Sequence, residues 1–349
     1  MIDYRSLYEA FVEAEAEAER QALGEEPGAW DRAWQLEHRP SWLEFQALLW
    51  EARHAASIQD VVTTMGTVCG ALALVAVLRR HAGLELADDG TLRWQAPLFP
   101  TPPAPVVDAA TAPEWMTTLA ADAGFGQLRT SLQSSERRAV ALLRSLPPFG
   151  RRVLLLGDDD LTSIFIAARR PGEVVVADVD PRVLEAVDRA RQTWDLPLRS
   201  IELDVRRPLP SELRGGFDVV HLDPMDDGVW LELWTQRAME ACREQAGARI
   251  GISVAPRRLG RRLMGLHAFL QHGGFALHSR DAGLGRYPLR DVDDAFYRAH
   301  EAAARALGLP PSPSDRVWEI PTDLLCFVRR AAPWPMLWPQ TWREIRRAV

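Results

Sequence analysis

Acidic residues stand at four places along this chain where they could act on one ligand. Asp158, Asp159 and Asp160 follow the apolar run Val153–Leu156 and a single glycine, Gly157. Asp178 and Asp180 follow a second run, Val174–Ala177. Asp204 comes directly after Ile201-Glu202-Leu203, and Asp223 after Phe217–Leu222. Apolar runs of this length read as buried parallel strands, and an open α/β sheet presents its ligand crevice at the C-terminal ends of its strands. One acid in such a place is as readily a helix cap or a turn former. Four successive strand ends that all carry one argue for a site. Carboxylates there can hold sugar hydroxyls, attract cations and accept a proton from an amine.

The first turn narrows the ligand. Strand, glycine turn, helix start at Leu161–Ala168, second strand and acidic tip make a Rossmann-type nucleotide unit. The second and third glycines that would let a backbone cradle a pyrophosphate are missing, and three acids in their place would repel one. The expected ligand is a nucleoside without phosphates that is positively charged at its reactive end, as S-adenosylmethionine or decarboxylated S-adenosylmethionine is. In such a site Asp178 would accept from both ribose hydroxyls, Asp204 would accept from the adenine amino group, and Asp223 would face the reacting centre. Asp226 and Asp227 read equally as a grip on a cationic acceptor or as the cap of the helix around Trp230. His221 sits inside an apolar strand and reads as a core histidine.

These residues require a scaffold. Residues 114–330 read as a doubly wound parallel sheet with an insertion at 281–316 and a final strand at Asp323–Val328. Residues 331–349 form a tail. Six prolines between 97 and 113 mark a linker. Before it, residues 1–56 read as helical, with an N-cap at Ser41 and tryptophans suited to core or dimer contacts. Residues 57–96 read as helices plus a hairpin around Asp88-Asp89-Gly90, a winged-helix-like module. The expected fold class is therefore α/β, a Rossmann-type sheet of the class I S-adenosylmethionine-dependent transferase kind behind a helical, winged-helix-like N-terminal domain.

Composition excludes some function classes. A net charge of −7 supplies no basic footprint for nucleic acid. Cys69, Cys242 and Cys326 lie far apart in apolar segments, which suggests reduced core thiols, no metal and a cytoplasmic protein. The chain opens with no basic-then-apolar leader, and the apolar stretch near Val68–Leu78 is too short for a membrane span. A homodimer is compatible with these features.

Gly157 to Ser163, a glycine, three aspartates and Leu-Thr-Ser, is similar to a motif of the branched-chain polyamine synthases, the N4-bis(aminopropyl)spermidine synthases. Asp178-Val179-Asp180, Asp204-Val205-Arg206-Arg207-Pro208-Leu209-Pro210 and Asp223-Pro224 resemble that family's further motifs, over roughly residues 125–280. The resemblance implies transfer of an aminopropyl group from decarboxylated S-adenosylmethionine to a polyamine, with Asp159 as the catalytic carboxylate. It also agrees with a winged-helix module and linker ahead of the catalytic domain. Met225 stands where the family has a second proline, with Asp226 and Asp227 in place of one glutamate. Phe125–Thr130 matches only in part, and the region beyond Asp281 matches poorly. Rival readings are a methyltransferase, a 3-amino-3-carboxypropyl transferase or a cyclase acting on S-adenosylmethionine. A winged-helix regulator with a nucleoside-sensing domain is a rival of another class.

Overall fold

In the computed structural model the described residues are 2–23, 40–65, 67–99, 104–144, 150–169, 171–225, 228–288, 294–308 and 319–330. The chain begins with α1 (Tyr4–Leu23), α2 (Trp42–Ala52), α3 (Ile58–Met65) and α4 (Val68–His81), then the hairpin β1 (Leu84–Leu86) and β2 (Leu92–Trp94). Ser41 caps α2 reciprocally: its Oγ accepts from the Glu44 amide at 3.3 Å, and Glu44 accepts from the Ser41 amide at 3.0 Å. The Asp88-Asp89-Gly90 turn brings Leu84 opposite Trp94 and Leu86 opposite Leu92.

Leu7 and Phe11 of α1, Phe45 and Leu49 of α2, Leu74 and Leu78 of α4, and Leu84 and Leu92 of the hairpin share one core. The expected division between residues 56 and 57 therefore separates no cores. The stripe of α1 needs α4 to cover it, so both sides of that boundary pack as one unit. Trp42 and Trp50 pack against this core, whereas Trp30 and Trp34 lie outside the described residues. Helix α2 is apolar around most of its circumference and faces two ways. Its Leu43 and Ala47 enter the clusters on either side of the main sheet, and Ser41 donates to the Ala246 carbonyl at 2.6 Å. The described ends of the proline-rich stretch are anchored too, Leu98 and Phe99 in the first core and Val107 and Ala109 beside the sheet.

The sheet follows α5 (Glu114–Thr118) and α6 (Leu132–Leu143). Its parallel part comprises β3 (Arg151–Leu156), β4 (Gly172–Asp178), β5 (Leu198–Glu202), β6 (Val219–Leu222) and β7 (Arg249–Val254). Helices α7 (Thr162–Ala168), α8 (Pro181–Trp194) and α9 (Gly228–Ala241) connect these strands, and α10 (Pro256–Leu259) and α11 (Arg262–His272) follow β7. Two antiparallel strands, β8 (Phe275–Pro288) and β9 (Glu319–Arg329), complete the order β5-β4-β3-β6-β7-β9-β8. β3 is the middle one of the five parallel strands, and the chain leaves it in one direction, then returns to its other side at β6. That reversal places the ligand crevice of such a sheet at the tips of β3 and β6. The fold is a Rossmann-type α/β sheet, as expected.

The insertion begins later than expected. Strand β8 continues past Asp281 to Pro288 and pairs with β9, through register shifts at Leu277/Ser279 and Asp281/Gly285. Two bulges break the alternation of buried and exposed positions that would mark a strand in sequence. Helix α12 (Asp294–Ala306) lies between the two strands in sequence; the tail from residue 331 lies outside the described residues. The three cysteines are unpaired, with Cys242 and Cys326 buried. Among the described residues no helix is long and apolar enough to cross a membrane.

Candidate active site

The turn after β3 depends on backbone geometry that few residues allow. Gly157 has φ +69°, and a Cβ there would lie 2.7 Å from the Trp234 ring on α9. Only glycine meets both the left-handed conformation and the close approach. Asp158 then folds back over the start of α7, accepting from the Ser163 amide at 3.1 Å and from the Ser163 hydroxyl. Its own amide donates to Asp178 Oδ2 at 2.9 Å, while Asp178 Oδ1 accepts from the Asp180 amide at 2.8 Å. Asp180 caps α8, accepting from the Arg182 amide at 2.9 Å and from Gln127 Nε2 at 2.9 Å. The tips of β3 and β4 are thus stitched together through carboxylates.

Asp160 is engaged on the other side of the turn. It accepts from the Thr130 amide at 2.6 Å and pairs with Arg138 Nη1 at 2.9 Å. Arg138, on α6, is wholly buried, and its Nη2 lies 3.1 Å from Asp223 and 2.8 Å from the Tyr287 hydroxyl. Tyr287, on β8, donates to Asp223, and Asp160 Oδ2 stands 3.3 Å from the same hydroxyl. One guanidinium and one phenol therefore tie the tips of β3 and β6 to the β8–β9 hairpin.

Asp159 differs from its neighbours. Its backbone carbonyl accepts from Arg129 Nε at 2.7 Å, but among the described residues no hydrogen bond reaches its half-buried side chain. Burial, then the charges of Asp160, Asp223 and Asp178, push its ionisation well above the usual carboxylate range, with Arg129 opposing. A carboxyl whose proton affinity is raised, and whose oxygens no hydrogen bond holds among the described residues, is suited to exchange a proton once ionised.

The expected site residues therefore divide by what they touch. Gly157, Asp158, Asp159, Asp178, Asp180 and Asp223 come together at the strand tips with Asp160. Asp158, Asp160 and Asp180 spend their oxygens on Ser163, on Arg138 and Thr130, and on Arg182 and Gln127. Those bonds shape the turn, and they arise because the three carboxylates face backbone amides, the Ser163 hydroxyl, the Gln127 amide and the cations Arg138 and Arg182. Asp204 is gripped by Arg206, whose Nη2 lies 2.6 Å away and which holds the carboxyl down at about 2. Asp226 and Asp227 lie outside the described residues. His221 is a core residue, 3.2 Å from the Ser253 hydroxyl and held neutral by burial. Sequence reasoning missed Arg138 and Tyr287. Arg138 does carry a signal, because it occupies the stripe of α6 shared by Ser135, Ala139 and Leu142, all buried. A charge on such a stripe demands acidic partners.

Burial is the largest cause raising Asp158, to about 8, and it also raises Asp178. A carboxyl raised by folding keeps its proton better in the folded state, so its stabilisation is complete below about pH 4 and lost as pH climbs through the folded value. Asp204 acts oppositely, its contribution present above about pH 4 and lost as pH falls through about 2. The ligand-free protein is expected to lose stability between about pH 5 and pH 8. Urea titration at both pH values checks this, and Asp158→Asn should flatten the decline. A parent that gains stability over that interval would show that the buried acids stay ionised.

Known proteins share parts of this architecture. Residues 120–276 match the family model described as the branched-chain polyamine synthase A C-terminal domain. An uncharacterized protein of Methanocaldococcus jannaschii is 32% identical over 136 residues, covering 39% of this chain and 35% of that protein. The N(4)-bis(aminopropyl)spermidine synthase of Thermus thermophilus is 31% identical over 134 residues, covering 38% of this chain and 39% of the enzyme. These matches span well under half the length of either relative. The branched-chain polyamine synthase C9 mutein of Thermus thermophilus, solved with N4-aminopropylspermidine and 5′-methylthioadenosine, superposes with a TM-score of 0.52. That likeness covers 93% of this chain and 94% of the mutein at 21% identity, and establishes the shared fold.

Proposed function

We propose that this chain, whose residues 120–276 belong to the branched-chain polyamine synthase family, is an aminopropyltransferase that enlarges a polyamine. The observation that carries the reading is Asp159: an acid without a side-chain hydrogen bond among the described residues, its ionisation raised by burial and neighbouring acids, at the switch point of the sheet. The donor is decarboxylated S-adenosylmethionine, its ribose on Asp178 and its adenine toward Asp204 once Arg206 yields. The acceptor is a polyamine, protonated in water and unreactive until one nitrogen loses its proton.

Asp159 accepts that proton, and the freed lone pair attacks the methylene carbon beside the sulfonium. The new carbon–nitrogen bond forms as the carbon–sulfur bond breaks, and the sulfur keeps the bonding pair and leaves as methylthioadenosine. The sulfonium charge is lost as the product nitrogen gains its own, so charge balances without a metal. Acidic strand tips orient the cationic chain for this in-line displacement. In this reading Asp223 faces the reacting nitrogen, and Asp226 and Asp227 are candidates for a grip on the cationic acceptor.

Incubation with each donor and a panel of amines, read by mass spectrometry, tests the reading. Methylthioadenosine together with an amine enlarged by one aminopropyl group is the expected result. S-adenosylhomocysteine instead would make the chain a methyltransferase, and an amine carrying a carboxypropyl group would make it the corresponding transferase.

Donor choice should follow from charge. The extra carboxylate of S-adenosylmethionine would face the Asp158–Asp160 turn, where burial already resists negative charge, so the decarboxylated donor is expected to bind more tightly. The preference should grow to about tenfold, or roughly 1.4 kcal/mol, as pH rises through the ionisation of Asp158 at about 8. Calorimetric titration with both donors measures this. Equal affinities would remove the electrostatic argument for the donor.

A further inference from the structure

We propose that Tyr287 is a positioning residue of the site: with Arg138 it holds Asp160 and Asp223 as an internally paired couple, leaving Asp159 as the proton-exchanging carboxylate of the β3 turn. The proposal rests on the reading of Asp159 as the proton acceptor. It concerns a residue on β8, beyond the stretch that matches the family model.

The argument starts from charge. A wholly buried guanidinium is tolerable only with full pairing, and Arg138 finds it in Asp160 at 2.9 Å and Asp223 at 3.1 Å. Two carboxylates around one cation leave a net negative cluster, which suits a cationic substrate but also penalises each further acid nearby. The Tyr287 hydroxyl completes the arrangement. It accepts from Arg138 at 2.8 Å and donates to Asp223, so it links cation and anion while adding no charge of its own. The phenol itself stays protonated, burial pushing its ionisation well above the usual tyrosine range. By donating to Asp223 the phenol spreads the negative charge of that carboxylate away from the β3 turn.

The groups facing this cluster come from several elements. Asp159 and Asp160 stand on the turn after β3, Asp178 at the tip of β4, His221 and Asp223 on and after β6, and Arg129 ahead of α6. His221 is held neutral by burial and by Arg138. Asp159 feels Asp160 and Asp223 as repulsive charges. Burial is the largest cause raising its proton affinity, and the way Arg138 and Tyr287 absorb the Asp160 and Asp223 charges adjusts it further. Gly285 adds a geometric requirement, because a Cβ there would lie 2.3 Å from the Thr322 hydroxyl and 3.2 Å from Arg138 Nη2. The hairpin approaches so closely that its glycine and tyrosine together fix where the guanidinium sits.

The decisive experiment follows the carboxyl carbons of ¹³C-aspartate-labelled protein by NMR across a pH titration. The Asp159 signal is assigned by its disappearance in Asp159→Asn. In Tyr287→Phe, which keeps the ring and removes only the hydroxyl, Asp159 is expected to titrate at least about half a pH unit higher, because Asp223 is less well screened. Asp223→Asn removes the repulsive charge and is expected to move Asp159 the opposite way, so the claim stays testable should Tyr287→Phe fold poorly. An Asp159 titration unmoved by either change would overturn the proposal. These measurements need no turnover, so they stand apart from a failure of the aminopropyl-transfer reading, which would appear as a parent that releases no methylthioadenosine. With an active parent, Tyr287→Phe should lose about tenfold or more in kcat/KM for the amine, with donor affinity unchanged and the acid limb of the profile displaced upward. A merely structural tyrosine would lower the melting temperature and leave that limb in place.

Discussion

Asp159→Asn is expected to lower turnover by about 10²–10⁴-fold, the usual contribution of one general base, while the protein stays folded and binds its donor as before. The reasoning is local. An amide keeps the shape of the side chain, and no hydrogen bond reaches the Asp159 carboxylate among the described residues, so little structure is lost. What disappears is the proton acceptor. The charged amine can then react only through its rare deprotonated fraction in solution, and raising the pH should partly restore the variant. Asp158→Asn and Asp160→Asn are the internal comparisons, because their oxygens serve Ser163 and the Arg138–Thr130 pair. Those variants should lose stability or binding before they lose the chemical step. Steady-state rates at saturating donor and amine, with methylthioadenosine as the measured product, separate these outcomes. Near-parental turnover in a folded Asp159→Asn protein would leave the triple acid as an electrostatic clamp and shift the base to Asp223.

The strand tips were legible in sequence for a physical reason. A parallel strand covered by helices on both faces must be apolar throughout, so Val153–Leu156, Val174–Ala177 and Val219–Leu222 stand out, and the first acid after each marks the open end. The Asp88-Asp89-Gly90 hairpin and the Ser41 cap were legible because turns and caps are decided by one or two residues. Strand β8 was not, since Ser279–Gly285 is polar and glycine-rich and the strand keeps its pairing only through bulges. Without β8 the Tyr287 that joins Arg138 to Asp223 could not be seen, and Arg138 looked like its exposed neighbour Arg137. The same gap explains how the acids divide. Sequence spacing brought Asp158, Asp159 and Asp160 to one turn, but only the facing elements decide which of the three is left open. Asp160 points at α6 and β8, Asp158 at the start of α7, and Asp159 at neither.

Asp178→Ala is expected to weaken donor binding by roughly ten- to over a hundredfold, matching the loss of hydrogen bonds to a charged acceptor of about 1.5–3 kcal/mol, with turnover at saturating donor much less affected. Asp178 sits at the tip of β4, buried but for a small part, with each oxygen already accepting one backbone amide. A carboxylate has about four acceptor sites, so ribose hydroxyls can add to those bonds without displacing them. Burial raises the Asp178 carboxyl above its ordinary range, and hydroxyl donors favour its charged form. Donor affinity should therefore increase with pH as Asp178 ionises, and the Asp178 contribution to that slope should vanish in the alanine variant. Alanine also frees the amides of Asp158 and Asp180, so part of any loss could come from a slackened turn. Asp178→Asn separates the two effects. It retains a carbonyl for one amide but cannot accept from two hydroxyls as a carboxylate does, so it should recover stability more fully than affinity. Calorimetry with methylthioadenosine, paired with urea titration of each variant, supplies both quantities. If both variants bind like the parent, Asp178 serves only to join the tips of β3 and β4, and the ribose must lie elsewhere in the crevice.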